Sequence, residues 1–335
     1  MTARVRLVAV AALALAALAP APLLAYLKLG FQVGSRTVTL HWVNQPTRYS
    51  ITNSGVPSVT PSQFQSAVAA AFSTWEQVPS ARFSGTFAGF TGARPFEDDG
   101  ISVLGYASRP DLDRVLAATT FIINTTTGEI VESDIFFNSA FGWSTAQAGE
   151  PNRFDVQSIA LHEIGHLLGL GHSALGETEL RAAGGRRVIA AGAVMFPIAF
   201  SAGNVEERVL QADDIAGVSD IYPDGTFRTH TGSISGRVTK NGAGVYGAHV
   251  VAFNLQTGQM VGNFALSDTG AFAIAGLEPG AYAVRVEPLD DADLESFFDS
   301  ASKVDAAFAP KFYERIVVAP RGGGSGEIEI TVSAR

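Results

Sequence analysis

Apolar positions recur along this chain with two different periods, and the switches between them mark out its elements. Between Thr60 and Pro79, residues Phe64, Val68, Phe72 and Trp75 fall at steps of three and four, which is one stripe of an amphipathic helix. Thr60 serves as its N-cap, Pro61 takes the first helical position and Gln63 closes a capping box. The pattern predicts a second helix over residues 152–168, capped by Asn152 or Asp155 and buried through Val156, Ile159, Ala160, Leu167 and Leu168. A third, over residues 211–222, buries Ile215, Val218, Ile221 and Tyr222. Asp213 and Asp214 stand in its first turn, where the helix dipole favours carboxylates.

Alternation with period two predicts strands at 36–43, 84–91, 101–104, 115–123 and 130–138, interleaved with those helices. After residue 226 only strands follow, at 233–240, 248–254, 261–267, 271–275 and 281–287, closed by alternating Ile328, Ile330 and Val332. Asn241-Gly242 and Asp268-Thr269-Gly270 make tight turns between them. The fold class is therefore α+β. A mixed domain over 26–225 with three main helices is joined by a polar linker, 226–231, to a small all-β sandwich over 232–335. Residues 289–325 are less regular and read as a long connection inside the sandwich, with no catalytic constellation.

Residues 1–25 read as a secretory signal peptide. Arg4 and Arg6 precede an apolar run from Leu7 to Ala19, then Pro20, Pro22 and a small residue, Ala25, for cleavage. An uncleaved anchor is the rival reading, since the stretch is just long enough to span a bilayer. The prolines favour the leader, which sends the chain to the medium or the cell envelope and periplasm with no membrane span left after cleavage. Loss of the leader takes the net charge from −9 to −11, because it removes two arginines and no acid. An acidic surface argues against nucleic acid as a partner. With no cysteine in the chain, a thiol nucleophile, cysteine zinc ligands and a latency-keeping cysteine propeptide are all excluded.

The chemistry lies in His162-Glu163-Ile164-Gly165-His166-Leu167-Leu168-Gly169-Leu170-Gly171-His172. His162 and His166 project from one face of a helix, a turn apart, with Glu163 beside them. Two imidazoles at that spacing hold Zn²⁺. The third histidine cannot come from the same straight helix. Gly169 can adopt positive φ, end the helix and return His172 to the metal. Three neutral imidazoles leave the fourth tetrahedral position open, the layout of a catalytic zinc site. The bland alternative is an amphipathic helix with ordinary core histidines. Against it, three of the chain's six histidines fall in these eleven residues.

With Ala193-Val194-Met195-Phe196-Pro197 downstream, the chain resembles the metzincin zinc peptidases, which carry H-E-x-x-H-x-x-G-x-x-H and a methionine turn. Ser173, Met195-Phe196-Pro197 and Gln211-Ala212-Asp213-Asp214-Ile215-Ala216-Gly217-Val218 make it most similar to the matrixins, the matrix-metalloproteinase-like family. Pro197 stands where astacins and serralysins carry tyrosine. The sandwich resembles a carboxypeptidase-regulatory-like (transthyretin-like) domain through Gly236-Arg237-Val238 and residues 270–282.

The resemblance implies a twisted mixed sheet and a secreted zinc endopeptidase acting on extended protein or peptide substrates. A metal-activated water attacks the peptide bond, and Glu163 is the general base. Met195 and Pro197 belong to the turn beneath the metal. One of Asp213 and Asp214 supports that turn and the other meets the N-terminus. Residues 115–120 form the open edge strand over the cleft, with Leu116, Ala117 and Ala118 binding the substrate backbone. Many matrixins hold a second, structural zinc, but residues 105–130 contain no histidine to bind one. Asp98, Asp99, Glu132 and Asp134 are candidate Ca²⁺ ligands or, more plainly, solvated loop carboxylates. Residues 174–192, between His172 and Met195, exceed the matrixin spacing and form a surface loop or a lid, in which Arg186 and Arg187 favour acidic substrate residues. The rival function is a surface-binding or adhesion protein, touching a surface or glycan through the sandwich, with an inactive zinc domain as scaffold. The presence of Glu163 argues against it.

Overall fold

A computed structural model of the protein describes residues 4–9, 28–33, 36–182, 184–298 and 303–335. Its first sheet has six strands in the order β1-β7-β8-β6-β4-β5. These are β1 (Arg4–Ala9), β4 (Thr47–Thr52), β5 (Gly85–Thr91), β6 (Val103–Ala107), β7 (Ala117–Asn124) and β8 (Ile130–Asn138). β4, β5, β6 and β8 run parallel, while β7 is antiparallel to β8 and to β1.

Two expectations change here. The strand predicted at 36–43 shortens to β3 (Arg36–Thr39) and pairs only with β2 (Gly30–Val33), as a separate hairpin. The sheet strand preceding the first helix is β4, whose sequence Thr-Arg-Tyr-Ser-Ile-Thr lacks clean alternation. It lies between β5 and β6, where Thr47, Ser50 and Thr52 are buried along with Ile51. The second change concerns β7, which is not a fully open edge. β1 pairs with it from Thr119 to Asn124, leaving Leu116–Ala118 beyond the paired register. Residues 1–3 and 10–25 of the predicted leader lie outside the described residues.

Helix α1 (Pro61–Glu76) has the predicted capping box at Thr60 and Gln63 and buries Phe64, Val68, Phe72 and Trp75. It packs on α2 (Val156–Leu167), where the Trp75 indole donates to the Leu161 carbonyl at 2.9 Å. The core between these helices and the sheet contains Ile51, Leu104, Ile135, Phe137, Ile164 and Val218, the last from α3 (Ala212–Ile221). A short pair, β9 (Trp143–Ser144) and β10 (Phe154–Asp155), leads into α2.

Among the described residues, the 174–192 insertion is not an irregular loop. It contains the hairpin β11 (Gly176–Leu180) and β12 (Arg186–Ala191), which docks on the second domain. Thr178 donates through its N–H and its hydroxyl to Asp291, and Leu175 and Ala193 pack with Val251. Within the hairpin, Arg187 pairs with Glu179 at 2.6 Å and Arg186 donates to the Thr178 hydroxyl at 3.0 Å. Both guanidinium groups are thus engaged inside the insertion.

The expected polar linker contains a helical turn, α4 (Phe227–His230), with Phe227 buried. The second domain follows. On one side β13 (Gly232–Lys240) pairs with β14 (Ala243–Gly244), β17 (Ala271–Leu277) and β21 (Gly324–Val332). On the other, β15 (His249–Asn254) and β18 (Gly280–Glu287) pair with β16 (Met260–Phe264), β19 (Lys311–Phe312) and β20 (Val317–Ala319). Ile234, Val250, Phe272, Val284 and Ile330 fill the space between, and Ala216 of α3 joins that same core.

Candidate metal centre

The site is built on α2. Its N-cap is Asp155, whose Oδ2 accepts from the Ser158 N–H and hydroxyl, each at 2.8 Å. Arg208 grips the same carboxylate with two bonds, of 2.6 and 2.9 Å, and both side chains are nearly excluded from water. The start of the helix is therefore tied to a segment more than fifty residues downstream. At the other end Leu168 is the C-cap, and Gly169 follows at φ +97°. A β-carbon on Gly169 would lie 2.4 Å from the Leu40 carbonyl oxygen, so both conformation and space require glycine. The break lets the chain return, and it places His172 against the helix.

The three imidazoles face one another, with ring centroids 4.7 to 5.4 Å apart. His166 Nε2 and His172 Nε2 are 3.1 Å apart, and the ligand atoms of all three rings lie within 4.8 Å of each other. Each Nδ1 points outward to a backbone carbonyl: His162 to Val194 at 2.7 Å, His166 to Leu170 at 2.8 Å and His172 to Ser296 at 2.6 Å. A carbonyl only accepts, so each Nδ1 carries the proton and each Nε2 presents a lone pair inward. Burial also disfavours the imidazolium forms, lowering His162 to about 3, His166 well below its ordinary value and His172 in the same direction. Three neutral, converging nitrogens are the donor set that fits Zn²⁺. Among the described residues, no second group of three or more histidine, aspartate or glutamate ligands converges in this way.

Glu163 is buried beside them. Its Oε2 accepts from the Thr119 hydroxyl at 2.7 Å, and the same hydroxyl lies 3.0 Å from the Glu163 carbonyl oxygen. Burial pushes its carboxyl up to about 7 against the opposing pull of that hydrogen bond. Thr119 escaped the sequence reading. It lies on β7, one residue past the Leu116–Ala118 triplet proposed to bind substrate, and only the pairing of α2 with β7 brings it to Glu163.

Met195 is buried against Gly165 of α2. Asp214 accepts from Val194 N–H at 2.9 Å, Met195 N–H at 3.1 Å and Gln211 N–H at 2.8 Å. It thereby holds the turn whose Val194 carbonyl orients His162. Pro197 follows the turn, half-buried. Asp213, the carboxylate left for the N-terminus, is committed elsewhere: it accepts from the Ser173 hydroxyl at 2.7 Å and from Gly262 N–H of β16 at 2.8 Å.

The calcium candidates separate from this centre. Asp134 accepts from Phe96 N–H at 2.7 Å and Val103 N–H at 2.8 Å, and Glu132 accepts from Gly100 N–H at 2.5 Å. Asp98 is exposed, and Asp99 accepts from Ile101 N–H.

With this geometry in place, comparison with known proteins decides the family. The matrixin family profile matches residues 41–223, more than half of the chain. The chain is a member of the matrixin family. The carboxypeptidase regulatory-like domain profile matches residues 233–291, within the sandwich. Among curated relatives, Metalloendoproteinase 1 of Glycine max is 30% identical over 182 residues, 48% of this chain and 45% of that protein. Metalloendoproteinase 5-MMP of Arabidopsis thaliana is 41% identical over 68 residues, 20% of this matrixin and 14% of that protein. The chain thus spans less than half the length of these relatives. A solved structure, the Bacillus anthracis TIE protein, superposes on 31% of this chain and 17% of its own, at 16% identity and a TM-score of 0.22. That likeness is too small to bear on fold or function.

Proposed function

We propose that this matrixin is a zinc-dependent endopeptidase that hydrolyses peptide bonds of extended protein substrates. The observation that carries the reading is the buried Glu163 carboxylate set beside three imidazoles whose lone pairs converge. His162, His166 and His172 would hold the ion through Nε2. When bound, zinc supplies a Lewis acid that polarises a carbonyl and makes a water acidic near neutral pH. Glu163 is the general base: Thr119 takes Oε2, and Oε1 accepts a proton from the attacking water and returns it to the departing amine. Met195 and Asp214 act on His162 through the turn and touch no substrate. Leu116–Ala118, beyond the stretch paired with β1, offer backbone groups to a substrate strand, and cleavage of a leader that includes Arg4–Ala9 would free the rest of that edge of β7 as well.

The decisive experiment is Glu163→Gln in the full chain. The variant should bind one equivalent of zinc and unfold at the wild-type temperature, yet cleave an unfolded protein at least a thousandfold more slowly. Wild-type turnover in that variant removes the mechanism. Chelation should abolish wild-type cleavage, and added zinc should restore it.

Export is part of the same reading, on the strength of the apolar leader over residues 1–25. Among the described residues, no helix is long and apolar enough to cross a membrane. A mature N-terminus near residue 26 in exported material supports it, and an intact leader on an exported chain counts against it. Calcium at Glu132 and Asp134, both buried on β8, is a separate proposal. Millimolar calcium should then raise the melting temperature of the chain but not that of Glu132→Gln.

A further inference from the structure

Two of the three carbonyls that orient the zinc-binding rings, those of Val194 and Leu170, belong to the matrixin domain. The third does not. Ser296 lies in the stretch between β18 and β19 of the second domain, in a 3₁₀ turn formed by Leu294–Ser296, and its carbonyl accepts from His172 Nδ1 at 2.6 Å. The turn is not a stray loop resting on the site. Phe297 and Phe298 pack around Phe264 of β16, tilted and edge-on, with centroids 5.8 and 5.4 Å away. Leu294 packs into the same cluster as Leu289 and Ala174, two residues beyond His172. Five residues before Ser296, Asp291 takes both bonds from Thr178 of the β11–β12 hairpin. Gly262 of β16 donates to Asp213, which also takes the hydroxyl of Ser173, the residue next to His172. The second domain thus holds the segment carrying the third histidine at several points.

We infer that the second domain completes the metal centre: the Ser296 carbonyl is a positioning group that fixes the tautomer and ring orientation of His172, so zinc affinity depends on a domain that supplies no ligand. The hydrogen bond keeps the proton on Nδ1 and the lone pair of Nε2 on the ion, and it raises the basicity of the ligand. The family profile of the first domain ends at residue 223, so this support comes from outside the part of the chain that carries the metal motif. The inference rests on zinc binding at the histidine trio.

The test uses the full chain and zinc itself. Ser296→Pro removes the N–H that bonds the Asp293 carbonyl and drives Glu295 out of the helical region, so the turn opens and its carbonyl moves. Competition with a chromophoric chelator should show zinc bound about 10- to 100-fold more weakly, the usual loss when a partner of a ligand is removed. The d–d spectrum of the Co²⁺-substituted chain should change as well. Ser296→Ala keeps the carbonyl and should match wild type in both. A Ser296→Pro chain with wild-type zinc affinity and Co²⁺ spectrum overturns the proposal. Should that variant fail to fold, ¹⁵N-histidine labelling of the zinc-loaded wild type decides. All three Nδ1–H protons should exchange slowly with solvent, and a fast-exchanging His172 proton overturns the proposal. Failure of the underlying metal reading looks different: the wild-type chain would not bind zinc, or His166→Ala would leave binding intact, and the inference falls with it.

Discussion

A β-carbon placed on Gly165 would lie 2.2 Å from the sulfur of Met195. Met195 therefore reaches the backbone of α2, and Trp75 closes the same space at 3.0 Å. Gly165 sits between the two helical histidines, so any push on it is felt by both rings.

Gly165→Ala sets two effects against each other. Alanine gains about 1 kcal/mol of helix propensity over glycine. Overpacking a filled interior costs typically 1–3 kcal/mol, and here the displaced atom lies under the metal site. The net expectation is destabilisation by about 1 kcal/mol with weaker zinc binding. Gly165→Ala in a Met195→Ala background should recover part of the loss in a double-mutant cycle of urea unfolding. Additive effects would show that the two sites do not share this space.

Thr119→Val keeps the shape of the side chain and removes the hydroxyl that donates to Oε2 of Glu163. Loss of one hydrogen bond to a buried charged group costs about 1.5–3 kcal/mol. Turnover should fall about tenfold or more at unchanged zinc stoichiometry, and Thr119→Ser should restore most of it. Equal activity of the valine and serine variants would separate Thr119 from the reaction.

Arg208→Ala strips the bidentate partner from the buried Asp155 carboxylate. Breaking a buried pair from one side costs about 3–5 kcal/mol, and Asp155 retains its two bonds from Ser158, so about 3 kcal/mol is expected. Because Asp155 caps α2, urea unfolding should show the loss and hydrogen exchange should quicken in the first turn of that helix. Unchanged protection at Val156–Ile159 would contradict this.

Asp134 gives stability an inverted response to pH. Burial, reinforced by Glu132 and Asp99, pushes its carboxyl up to about 7, against the pull of two backbone N–H bonds and from an ordinary value of 3.8. Between those values the folded chain holds a proton that the unfolded chain has released. The contribution is therefore full below about pH 4 and is lost as pH rises towards 7, with a slope of at most about 1.4 kcal/mol per pH unit. Comparing wild type with Asp134→Asn cancels the histidines, which titrate in the opposite sense. From pH 7.5 to pH 5, wild type should gain stability relative to the asparagine variant. A constant difference across that range would refute the assignment.

Local pattern determined a good deal of this protein. The Thr60–Gln63 box starts α1 where it was expected, β8 covers 130–138 as predicted, and the second domain is all β. Spacing within one helix was enough to pair His162 with His166, and Gly169 marked where the chain turns back. Each of these depends on directions fixed inside a single element by its repeat or its cap. What tertiary structure alone decided lies between elements: Thr119 meeting Glu163 across 44 residues, Arg208 meeting Asp155 across 53, and Ser296 meeting His172 across 124. β4 was missed for a related reason, since a strand buried between two neighbours need not alternate. A backbone carbonyl such as that of Ser296 is identical at every position in the sequence. Only the packing of the second domain against the first gives that one carbonyl a histidine to hold.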